Sequence, residues 1–131
     1  MAANIEVALS GGDRDGDVLF YEPLAEVVGT VSITTDSSME CRHIWLRLIW
    51  FSEGRADEDV EKFDELDIGL GGLRPGEPVR SDFRFALPPA PWSYAGTYVS
   101  IVWAIEVVID LPMARDIVHR ERFVVRPPAA R

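Results

Sequence analysis

Val99, Ile101, Trp103, Ile105, Val107 and Ile109 place an apolar side chain at every second position of one segment, and this period-two row predicts a core strand over residues 98–109. Five of the six are β-branched, a shape that packs well on a pleated sheet surface. Residues 42–51 repeat the pattern, with Ile44, Leu46, Leu48 and Trp50 on one face. Shorter alternating runs predict strands at residues 4–9, 18–21, 26–35, 79–87 and 117–126. Gly29 falls in the inward row of the 26–35 strand, which predicts a bulge or a close approach of another group to its backbone.

Turn and loop chemistry separates these runs. Residues 10–17 (SGGDRDGD) read as a loop, Thr35-Asp36-Ser37-Ser38 as a turn, Tyr94-Ala95-Gly96 as another, and residues 69–76 as a long glycine-rich turn region. The acidic stretch 52–67 predicts a loop leading into a short strand near residues 63–68, with a single helical turn over 57–62 as the alternative. About eight strands without a long helix predict an all-β, immunoglobulin-like or arrestin-like antiparallel β-sandwich, and 131 residues suit one domain spanning 1–131.

Composition narrows the function classes. The net charge of −9, with a single lysine at position 62, disfavours nucleic acid and anionic membranes, because phosphate binding needs clustered cations. One cysteine, Cys41, cannot form an internal disulfide and fits a reducing, cytoplasmic setting. The first ten residues lack the pattern of a secretory signal, and no run reaches the roughly 20 apolar residues of a membrane helix.

Several motifs resemble arrestin-type sandwiches. These are Tyr21-Glu22-Pro23 leading into Val27-Val28-Gly29-Thr30-Val31, Phe85-Ala86-Leu87-Pro88 followed by Ser93-Tyr94-Ala95-Gly96 and the long apolar strand, and the closing Phe123-Val124-Val125-Arg126-Pro127. The resemblance implies a non-catalytic adaptor or scaffold, near the bacterial sporulation-control group, with no cofactor. The chain departs from that family in two ways. The family usually carries two such sandwiches in tandem, and residues 4–9 lack the basic side chains with which arrestins read phosphorylated tails.

Three clusters could carry chemistry. Asp13, Asp15 and Asp17 alternate like the first half of a calcium loop and are weak metal candidates, but Val18 and Leu24 stand where that loop needs glycine and glutamate. Asp57, Glu58, Asp59 and Glu61 could hold a cation or a basic partner, so a cation- or small-ligand-binding domain is the alternative function. Cys41 and His43, two apart, would share a strand face, without a third group to complete a nucleophilic or metal site.

The strongest signal is surplus apolar character. Trp45, Ile49 and Phe51 oppose the main face of one strand, and Tyr98, Val102 and Val108 oppose that of the other. A wetted sheet face alternates with polar residues, so these six predict a covered face. The cover would be a local loop such as residues 87–92, a second copy as a homodimer or a protein partner; binding through an exposed strand edge is the other route.

Overall fold

The computed structural model describes residues 3–54, 58–69 and 71–127. It is an all-β sandwich whose longer strands follow the apolar alternation. Twelve strands run in chain order: β1 (Ala3–Ser10), β2 (Asp13–Asp15), β3 (Val18–Tyr21), β4 (Glu26–Thr35), β5 (Met39–Glu40), β6 (His43–Gly54), β7 (Val60–Asp67), β8 (Gly72–Leu73), β9 (Val79–Ala86), β10 (Tyr94–Ala95), β11 (Val99–Asp110) and β12 (Ile117–Val125). Eight of them (β1, β3, β4, β6, β7, β9, β11 and β12) have four residues or more, the number that the alternation predicts.

One layer is a three-stranded antiparallel sheet, β1-β4-β9. The other is a seven-stranded sheet in the order β2-β3-β12-β11-β6-β7, with β10 joined to β11. Every pairing is antiparallel except β12 with β3, where Val124 and Val125 run parallel to Phe20 and Tyr21. The core lies between the layers. Val27, Val31, Ile33, Phe83 and Phe85 of the small sheet face Leu46, Leu48, Trp103, Ile105, Val107 and Phe123 of the large one. The close approach predicted at Gly29 is present: a Cβ there would lie 2.8 Å from Cζ of Phe83, so this ring occupies the space a side chain would need.

The smaller elements correct the sequence reading. Residues 13–15 form a strand hairpinned onto β3 through Gly16, whose φ of 60° suits a tight turn. Residues 60–62 are extended in β7 and not helical, because β6 offers them a ladder partner; Asp57 lies outside the described residues. Within the glycine-rich region, Leu73 pairs with Met39 in a two-stranded ribbon. Tyr94-Ala95 is a strand paired with Ile101 and Ser100, which moves the turn to residues 96–98.

Candidate interaction surfaces

Strand register decides what meets on the outer face of the large sheet. Across β7, β6, β11 and β12 one row contains Glu65, Arg47, Glu106 and Arg120, so charges alternate from strand to strand. Arg47 Nε donates to Glu65 at 3.1 Å, and Arg120 Nε donates to Glu106 at 2.9 Å. A second arm of Arg47 lies 3.7 Å from Glu106. Glu106 is only 6% exposed, and two guanidinium groups supply the partners that a buried carboxylate requires. Burial works against the charge on Arg120, but hydrogen bonds to Glu58 and Glu106 outweigh it and raise the guanidinium pKa.

The neighbouring rows hold the surplus apolar residues. Ile49 and Phe51 are each 1% exposed and cluster with Ala104, and Val102 packs against them. The cover over Phe51 comes from the same chain: the guanidinium of Arg120 sits 4.4 Å from the centre of its ring and that of Arg122 sits 5.4 Å from it. Arg122 is held in place by Glu53 at 2.9 Å. Planar guanidinium groups stack on aromatic faces while their polar edges stay hydrogen-bonded. Trp45 is half-buried, stacked by His43 at 4.7 Å with Arg47 at 5.5 Å, and its cross-strand neighbour Val108 is buried.

Of the six predicted partner residues, then, Ile49, Phe51 and Val108 are enclosed within a single chain. Trp45 and Val102 are partly accessible, and Tyr98 is 65% exposed. Trp45, Ile49 and Phe51 mark a covered face, in which arginines from β12 cover the Phe51 ring and His43 and Arg47 lie against Trp45.

A groove opens where the large sheet splits. β12 pairs with β11 as far as Phe123, opposite Trp103, and then turns to β3. Ser93 and β10 wedge into the gap: Ser93 N–H donates to the Val125 carbonyl at 2.8 Å, and its hydroxyl accepts from Val125 N–H at 2.9 Å. The proline-rich approach is pinned by Trp103, whose Nε1 donates to the Pro91 carbonyl at 3.0 Å. The groove encloses about 520 Å³, with Val18, Tyr94, Ile101, Val102 and Val124 as its apolar walls and Asp17 and the Glu53–Arg122 pair at its polar positions. Tyr94 is 60% exposed, and Trp92 is 46% exposed in the segment leading to it. Periodicity marks Val102 as outward but does not reveal the groove, which depends on two strands parting.

Among the described residues the candidate chemical clusters do not converge, and Asp57 lies outside them. Asp13 is engaged by Arg126 at 2.8 Å, Glu58 is engaged by Arg120, and no group of three or more His, Cys, Asp or Glu side chains converges on a metal-sized space among the described residues. Cys41 and His43 do not share a strand face, because β6 begins only at His43. Cys41 is buried in the core, while the His43 ring lies over Trp45 and pairs with Asp67 at 2.7 Å. Burial, reinforced by Asp67 and Asp110, pushes the Cys41 thiol up and disfavours the nucleophilic thiolate. No helix of the described residues is long and apolar enough to cross a membrane.

No protein-family profile and no curated protein sequence matches the chain. Among solved structures, the crystal structure of Spo0M, a sporulation control protein from Bacillus subtilis, superposes with a TM-score of 0.68 at 21% identity. The match covers 95% of this chain and 49% of that one, so the chain spans about half the length of that protein. The fold is therefore the arrestin-like β-sandwich that the motifs resemble.

Proposed function

We propose, with the arrestin-like fold as the premise, that this chain acts as a single non-catalytic interaction domain in the cytoplasm and engages a protein partner at the groove beside β10. One observation carries the reading: Trp92, Tyr94 and Tyr98 are exposed in one segment that borders an apolar groove. Aromatic side chains at such a rim are the usual anchors of a protein interface, since they bury large area with few rotatable bonds. Tyr98 and Val102 are the predicted partner residues that contribute here, Tyr98 from the turn before β11 and Val102 from the groove wall. The solved relative is a control protein, and a regulatory role through binding is in keeping with that likeness.

The test is a quantitative capture from the native host with the wild-type domain and a Tyr94→Ala/Tyr98→Ala variant as parallel baits. A partner recovered by the wild type should fall at least about tenfold with the variant, since paired aromatic anchors are each worth 1 kcal/mol or more. Equal recovery by both baits, with the variant folded, would remove the groove from the interface.

A further inference from the structure

The small sheet ends on β9, and that edge is open. Leu87 N–H donates to the Ala25 carbonyl at 2.9 Å, which sets the ladder phase: Val79, Ser81, Phe83 and Phe85 direct their backbone groups toward β4. The N–H and C=O groups of Arg80, Asp82, Arg84 and Ala86 therefore point away from the sheet. Apart from the Ser81 hydroxyl, which donates to the Asp82 carbonyl, these groups have no hydrogen-bond partner among the described residues.

Natural edge strands are usually defended. β7, the edge of the other sheet, has a bulge opposite Leu48 and Ile49 and carries Lys62 among four acidic residues. β9 has an uninterrupted register over all eight residues and no bulge, and its charges, Arg80, Asp82 and Arg84, are of both signs.

The side chains on the open edge are self-complementary in one register. Two copies of β9 pairing antiparallel about a two-fold axis at Phe83 would set Asp82 opposite Arg84 twice and Arg80 opposite Ala86 twice. All four pairs would use the free backbone groups. An axis at Asp82 or Arg84 opposes like charges, while axes at Ser81 or Phe85 bring in Pro78 or Pro88, which have no N–H to donate. Although the chain carries a net charge of −9, this strand holds two arginines and one aspartate, so it brings no net negative charge of its own to the contact; within the chain Arg84 pairs with Glu26 and Asp82 accepts from Thr30.

We propose that β9 is a homodimerisation edge, joining two small sheets into a continuous six-stranded sheet through the Phe83-centred register. The occupant is a second copy of this chain. The surface lies on the opposite layer from the groove and does not depend on the groove's function.

The experiment is sedimentation velocity on the wild type, Arg84→Asp, Asp82→Arg and the Asp82→Arg/Arg84→Asp double exchange, at up to about 100 μM, where a micromolar dimer is saturated. Expected are a wild-type dimer, a loss of at least about tenfold in affinity for each single reversal, and recovery in the double exchange, which restores opposite charges across the axis. An equimolar mixture of the two single variants should also dimerise, because each supplies the charge the other lacks. Far-UV circular dichroism confirms that the variants are folded. A monomeric wild type at that concentration, a dimer indifferent to the single reversals, or a folded double exchange that stays monomeric would each overturn the proposal.

Discussion

On its inner face the β6–β11 pair sets Leu46, Leu48, Ile105 and Val107 against a second sheet; on its outer face Phe51 clusters with Ile49 and Ala104, with the guanidinium groups of Arg120 and Arg122 over its ring. Both sets are almost fully buried, yet the covers differ in kind. A packed sheet is rigid and close-packed, so a lost side chain leaves a cavity. A lattice of long charged side chains can shift into the space and remains partly in water. Apolar periodicity thus reports that a position is covered, and cannot report by what.

The comparison is sharpest at Trp103, which is fully buried and bonded to Pro91. Trp103→Ala should lose about 3–5 kcal/mol in urea unfolding, and a loss below about 1 would remove Trp103 from the core. Phe51→Ala should cost less, about 2–3 kcal/mol, because its arginine cover can collapse onto the vacancy. A loss equal to that of Trp103→Ala would mean that the outer cover is as unyielding as the inner one. Glu106→Ala leaves Arg47 with Glu65 and Arg120 with Glu58, so about 1.5–2 kcal/mol is expected, short of the full penalty for orphaning a buried charge. This difference should shrink in concentrated salt, and the Trp103→Ala difference should not.

The smallest effect concerns acid. Asp67 is held below the usual carboxylate value by the hydrogen bond to His43, assisted by the backbone N–H groups of Gly69 and Ile44. A depressed folded pKa stabilises the fold above the ordinary value of 3.8, and that contribution is lost as the pH falls through the lowered value. Urea midpoints compared at pH 5 and below pH 3.8 should therefore fall less in Asp67→Asn than in the wild type. Identical slopes would deny the His43–Asp67 pair any part in acid stability.

How much was legible varied with the length of the strand. β3 and β4 lie at the predicted residues, and β6, β9, β11 and β12 differ only at their ends, because alternation over several residues leaves a single burial phase. β2, β5, β8 and β10 have two or three residues each, too few to show a period, and their composition is that of turns. The groove was hidden for a related reason, since it arises where β12 leaves β11 for β3 and no local pattern records that exchange of partners. Tyr98 and Val102 were legible as outward apolar positions, whereas Tyr94 was read only as part of a turn.

The chain by itself determined that the sandwich would be all-β and that Trp103, Ile105, Val107 and Ile109 would be buried, because these follow from side-chain alternation and turn chemistry within each segment. Val99, in the same predicted inward row, is exposed, Ile101 is half-buried, and β7 is longer than its acidic composition predicts. Tertiary structure alone decided that Arg120 and Arg122, about seventy residues beyond Phe51, would lie over its outward ring. It alone decided, too, that a row of four strands would alternate in charge. Both depend on register between distant strands, and register is set by the packing of the whole sheet, not by any one stretch of sequence.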